Sequence, residues 1–259
     1  MLELPDTLPP GALCDAGADL LADALAGTGA LWWAGESLSA DATGAVADWT
    51  DRLAGHTARP TAPNTGRGVI GVAGDITGLH CRDGVHCGLV AEAVAPVAGI
   101  VTLAARYLPP HGTDARTIVT YNTGGAAKKS DGDNYLYLSE AEGLLTVKDD
   151  KGLVDLSLPA PAGAAPRLVM ASLAGERLAV EVLGGVRAEA QARGPVLSGA
   201  ASLFIGCRNQ RPGLTKTLGG ALIGDVWLWP GRALLLSEDA ADRAALMAMR
   251  RFLLWAEEA

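Results

Sequence analysis

The segment Lys128-Lys129-Ser130-Asp131-Gly132-Asp133-Asn134-Tyr135 sets carboxylates at alternate positions around a glycine. Calcium prefers such oxygen-rich sets, so Asp131 and Asp133 are candidate calcium ligands. The segment lacks the bidentate Glu that closes an EF-hand loop, and Asp-Gly-Asp-Asn is also simply a good turn. A second group combines rings with amides and guanidinium: Tyr121, Asn122, Asn134, Tyr135, Arg208, Asn209 and Gln210, with Tyr107, Tyr137 and Arg211 of the same kinds. Carbohydrates suit this mixture, because ring faces cover sugar C–H patches while amides and guanidinium groups hydrogen-bond hydroxyls or pair with acidic sugars. A third cluster, His80-Cys81-Arg82-Asp83-Gly84-Val85-His86-Cys87, gathers two His and two Cys, the ligand types zinc prefers. Structural zinc sites draw their ligands as separated pairs, so the simpler reading is a tight hairpin turn around Asp83-Gly84 carrying a local disulfide or two free thiols.

Other chemistry is sparse. No Gly-x-Ser-x-Gly elbow, phosphate loop or His-Glu-x-x-His motif occurs. The chain has 4 His, and His56, His86 and His111 fall in apparent turns or loops, which leaves an acid–base triad hard to assemble. The nearest acidic groupings, Glu140 with Glu142 and Asp149 with Asp150, also read as turns.

Composition narrows the rest. The formal charge is −8, and Arg52 is the first basic residue after nine carboxylates, a field that opposes nucleic acid. No run of about 18 apolar residues offers a membrane span, and no positive segment opens a secretory signal. The expectation is a chain made in a cytoplasm, or exported by something other than general secretion. Hydrophobic residues make up 49% and charged ones 19%, with 33 Gly and 14 Pro, as in a chain of short apolar elements joined by many turns. Four scattered cysteines (Cys14, Cys81, Cys87 and Cys207) are too few for a disulfide scaffold.

The elements that must position these groups are strands. Val154, Leu156 and Leu158 alternate with polar residues, as do Leu178, Val180 and Val182, the period of a half-buried strand. Further strands are expected near 68–73, 100–108, 117–122, 134–139, 143–147, 167–173, 202–207 and 221–229. About a dozen strands at this spacing predict a two-sheet antiparallel sandwich. Residues 15–27 suit a short helix with Leu20, Leu21, Ala24 and Leu25 on one side, and 237–257 suit another, capped by Ser237 and buried through Ala241, Ala245, Met249, Phe252 and Leu253. Trp227 and Trp229 read as core.

Two motifs give this sandwich a family resemblance. Leu31-Trp32-Trp33-Ala34 with Val46-Ala47-Asp48-Trp49-Thr50-Asp51-Arg52, and Gly219-Gly220-Ala221-Leu222-Ile223-Gly224-Asp225-Val226 followed by Ala233-Leu234 and Leu236-Ser237-Glu238, resemble the laminin-G-like branch of the concanavalin A-like lectin/glucanase family. The resemblance implies an all-β jelly-roll sandwich over residues 31–259, with residues 1–30 as an N-terminal arm and a short C-terminal helix. Glucanases of this family carry alternating carboxylates, Glu-x-Asp-x-(x)-Glu, on one strand. No strand here has them, so the expectation is a non-catalytic carbohydrate-binding protein with no cofactor beyond calcium.

The Ala/Gly-rich composition has a bacterial look, and phage-like particles, gene transfer agents among them, release such sandwiches by lysis. The expected role is therefore a spike or fibre subunit on the exterior of such a particle, binding capsular or other cell-surface polysaccharide. The arm 1–30 would join other virion subunits, and homo-oligomers would raise avidity. Alternatives are a polysaccharide-degrading enzyme and a purely structural virion protein.

Overall fold

A computed structural model describes residues 16–124, 133–209 and 217–258. Helices α1 (Ala16–Leu25) and α2 (Ala240–Glu258) bracket sixteen strands. In chain order these are β1 (Leu31–Ala34), β2 (Leu38–Ala40), β3 (Val46–Thr50), β4 (Thr57–Pro60), β5 (Val69–Ala73), β6 (Ile76–Cys81), β7 (Leu89–Ala95), β8 (Ile100–Asn122), β9 (Tyr135–Ala141), β10 (Leu144–Asp149), β11 (Asp155–Pro159), β12 (Arg167–Ala174), β13 (Arg177–Val182), β14 (Arg187–Gln191), β15 (Ala201–Ile205) and β16 (Leu218–Pro230).

Antiparallel pairing arranges them as the two layers of an all-β sandwich. The back layer runs β14-β13-β12-β8-β16 and continues through β1 and through β6-β5. The front layer runs β11-β10-β9-β8-β15-β7-β4-β3-β2. Strand β8 serves both: residues 100–107 pair with β12, whereas 116–122 pair with β9. The sequence suggests two strands here because Pro109 and Pro110 interrupt the pattern. Register shifts between β16 and β8 flank this stretch, and irregular pairing is where a sheet tolerates residues without an N–H.

Inward side chains of both layers form one core, among them Trp33, Trp49, Val101, Leu103, Tyr107, Leu136, Leu138, Val169, Val180 and Ile223. A second apolar cluster lies outside the back layer, under the helices. There Trp32 stacks on Trp227 with centroids 5.6 Å apart, and Phe252 of α2 meets both rings edge-on at 6.0 and 5.9 Å. Trp229, Leu21, Leu25 and Met249 complete it, so Trp227 and Trp229 are core residues as expected.

The helices differ in detail from the expectation. In α1 the buried pair is Leu21 and Leu25, four residues apart and therefore on one face, whereas Leu20 is 53% exposed and Ala24 is also outside. Helix α2 is a 19-residue element capped by Asp239, whose Oδ1 accepts the N–H groups of Ala241 at 2.8 Å and Asp242 at 3.2 Å. Ser237 instead accepts the Asp239 N–H. Ala241 faces solvent, and buried Asp242 pairs with Arg232 at 2.5 Å. Residues 16–30 of the expected arm thus contribute packing to the sandwich; residues 1–15 lie outside the described residues.

The hairpin expected around Asp83-Gly84 is not one. Strand β6 ends in the back layer at Cys81 and β7 begins in the front layer at Leu89, each with other partners. Residues 82–88 are a crossover between layers. A turn and its flanking strands look alike in sequence whether they pair with each other or diverge.

Candidate ligand-binding face

The helices cover the back layer. The outer face of the front layer carries polar and aromatic side chains, and strand register assembles them in rows. Tyr137, Lys148 and Asp155 are cross-strand neighbours on β9, β10 and β11, and Ser139, Thr146 and Ser157 form the next row. Lys148 Nζ reaches Asp155 at 3.0 Å, which raises the lysine pKa, and Thr146 and Ser157 share a hydroxyl hydrogen bond of 3.0 Å. Tyr135, two residues before Tyr137 and so on the same face, has its ring 6.0 Å from it. The Tyr135 hydroxyl donates to Asp150 at 2.9 Å; burial first, and this carboxylate second, push its pKa up to about 12.

Arg208 completes the group. After β15 the chain folds back over β8, where Thr120 Oγ1 donates to Cys207 O at 3.0 Å and Asn122 Nδ2 to Arg208 O at 3.4 Å. Arg208 Nε then donates to Thr117 Oγ1 at 3.1 Å, and its guanidinium carbon lies 3.7 Å from the Tyr137 ring centroid. A guanidinium fixed over a ring presents its remaining N–H groups in a defined plane, suited to hydroxyls or carboxylates.

The expected site residues divide three ways. Tyr135 and Arg208 come together on this face. Asn122 and Asn134 support it from below: Asn122 Oδ1 accepts the Gly124 N–H at 2.7 Å, while buried Asn134 donates to Asp149 at 2.9 Å and to Val196 O at 2.7 Å and accepts from the Asp150 N–H at 3.1 Å. Tyr121 is corrected to a core residue. It is 0% exposed, points inward as the alternation along β8 requires, and its hydroxyl has no partner among the described residues. Asn209 adjoins Arg208 and is itself bonded; Gln210, like Arg211, lies outside the described residues. Tyr137, only 5% exposed, is the ring that Arg208 covers, which sequence placed among several equivalent tyrosines.

Of the acidic groupings, Glu142 and the Asp149–Asp150 pair lie at turns as expected, and Glu140 does not. Glu140 is the penultimate residue of β9, 2% exposed, ion-paired with Arg167 and accepting the Tyr107 hydroxyl at 2.7 Å. Asp149 accepts from Asn134, from the Lys151 N–H at 3.1 Å and from the Val154 N–H at 3.1 Å, closing the β10–β11 turn. A 440 Å³ cleft beside Glu140 is lined by Pro109, Pro161, Gly163 and Arg167. Asp131 lies outside the described residues; Asp133 sits against Gly124 and has bonding partners. In the His-Cys cluster, His80 is exposed beside a 390 Å³ cleft whereas Cys81 and Cys87 both point into the core, so the four side chains do not converge on one point. Among the described residues no group of three or more His, Cys, Asp or Glu could hold a metal ion, and Cys81, Cys87 and Cys207 are free thiols.

No family model matches the chain, and no curated protein matches it significantly. Solved structures do resemble it. Trypanosoma rangeli sialidase in complex with sialic acid aligns over 93% of this chain and 39% of its own, with 13% identity and a TM-score of 0.58. The same sialidase as a covalent intermediate with 2,3-difluorosialic acid aligns over 92% of this chain and 39% of its own, at 14% identity and a TM-score of 0.56. An α-L-arabinofuranosidase soaked with 4-nitrophenyl α-L-arabinofuranoside aligns over 79% of this chain and 51% of its own, at 11% identity and a TM-score of 0.51. The chain therefore spans well under two thirds of these proteins, and the likeness is one of fold. It agrees with the concanavalin A-like, jelly-roll type of sandwich that the two motifs suggest.

Proposed function

We propose that the chain is a non-catalytic carbohydrate-binding protein whose ligand lies on the outer face of the front layer, over Tyr135, Tyr137 and Arg208. One observation carries the reading: a guanidinium stacked at 3.7 Å on a tyrosine with a second ring 6.0 Å away. The outward-facing Tyr135 ring can cover a sugar C–H face, and the guanidinium held over Tyr137 supplies hydroxyl or carboxylate recognition beside it. The non-catalytic reading is supported by the engagement of Glu140 and Asp149 in structural bonds. In its fuller form the proposal makes the chain an oligomeric attachment subunit on the exterior of a phage-like particle. The support for that form is sequence composition and motif resemblance.

The test is binding of the purified chain to capsular polysaccharide from bacterial hosts, with and without a chelator, while the same mixtures are assayed for released sugar. Binding without release is expected. Release would mean an enzyme, and neither binding nor release would mean a structural protein.

A further inference from the structure

Two cations flank the Tyr137 ring, and the protein treats them differently. Lys148, the cross-strand neighbour on β10, pairs with Asp155 at 3.0 Å. Arg208 lies over the ring at 3.7 Å and uses only Nε on the protein, at Thr117 Oγ1. Its two Nη groups make no hydrogen bond or ion pair among the described residues, although two carboxylates stand on the same face. Asp155 is taken up by Lys148, and Asp150 accepts the Tyr135 hydroxyl at 2.9 Å.

The stacking contact and the Thr117 bond already hold the guanidinium in one plane, so a ligand meeting it has little side-chain freedom left to freeze. Two parallel Nη–H donors match the two oxygens of a carboxylate, and such charge-assisted pairs are about twice as strong as neutral hydrogen bonds. A single sugar hydroxyl offers one oxygen and leaves the second donor to water. Beside this fork the Tyr135 ring lies 6.0 Å from Tyr137, so one sugar residue can rest on that ring and carry its carboxyl group to Arg208.

Given that this face is the carbohydrate site proposed above, we infer that its ligand is an acidic polysaccharide. A hexuronate carboxylate is held end-on by the two Nη groups of Arg208 while the pyranose ring covers Tyr135. The chain's net charge of −8 opposes a polyanion at a distance, but salt screens exposed charges beyond about 8 Å at physiological ionic strength, so the short-range pair decides. Lys148 stays with Asp155 and adds no demand for a second anion.

The experiment measures binding of the full chain to immobilised polygalacturonate, alginate and hyaluronan. Carboxyl-reduced polygalacturonate, which keeps the backbone and loses the charge, dextran and dextran sulfate are measured beside them. Binding to a uronate polymer at least about tenfold tighter than to the reduced polymer and dextran is expected, and R208Q should abolish that preference. In the ¹⁵N-labelled chain, sodium galacturonate should shift the Arg208 Nε–H resonance and galactose should not, which reads the same contact without a variant that has to fold. Equal binding of neutral and acidic polymers overturns the acidic ligand and leaves the carbohydrate reading standing. Dextran sulfate binding as tightly as the uronates overturns the carboxylate in favour of any dense anion. A uronate preference that R208Q retains overturns the role of Arg208. Binding to none of the polymers, with no shift by galacturonate, overturns the acidic ligand and the carbohydrate reading together.

Discussion

The guanidinium of Arg208 lies 3.7 Å from the ring centroid of Tyr137, held there by a 3.1 Å bond from Nε to Thr117. This pairing joins the loop after β15 to β9, and it places a fixed cation among outward-facing polar rows. R208A should weaken polysaccharide binding about tenfold, the loss of one charged contact, while the melting temperature changes little. Isothermal titration against the wild type checks it; equal affinity would remove Arg208 from the site.

Tyr121 tests the placement from the opposite side. Its buried hydroxyl has no partner among the described residues, so Y121F should leave polysaccharide binding unchanged and hold or raise stability by up to about 1 kcal/mol. Denaturant unfolding together with the binding assay measures both quantities. Weakened binding in a stable Y121F protein would restore Tyr121 to the ligand site.

Arg116 is predicted to be the costliest polar position. Replacing it with Met keeps most of the volume but leaves the carbonyls of Gly206, Arg82, Val85 and Gly219 without its donors. Their desolvation should destabilise the chain by at least about 3 kcal/mol. A urea midpoint within error of the wild type would contradict the role assigned to this residue.

Asp225 sets a pH dependence. Burial raises its pKa from 3.8 to about 6, partly opposed by Arg106 and by the Trp32 indole N–H at 3.1 Å. Because the folded value lies above the unfolded one, its stabilising contribution is full below about pH 4 and is lost as pH rises through 6. The difference is at most roughly 3 kcal/mol. D225N keeps an acceptor for Trp32, and Arg106 keeps its pairing with Asp75, so the variant should flatten the stability profile between pH 4 and 6. Parallel profiles for the two proteins would assign that dependence to another group.

Period-two alternation and turn residues determined in the sequence that this chain is an antiparallel sandwich, since a strand's buried face is written in its own neighbours. Helical spacing likewise determined that two helices exist, and the apolar run around Trp227 and Trp229 that these rings are buried. Tertiary structure decided which layer each strand joins. Residues 82–88 read as a hairpin because local pattern does not record whether two strands pair together or with distant partners. The same gap governs the candidate site. Tyr121, Tyr135 and Tyr137 are alike as residues, yet register turns one into the core, opens another outward and sets the third beneath Arg208, more than seventy positions away. Glu140 read as a turn residue because its partners, Arg167 and Tyr107, reach it only through folding. Local chemistry determines the elements; long-range pairing decides which side chains face one another.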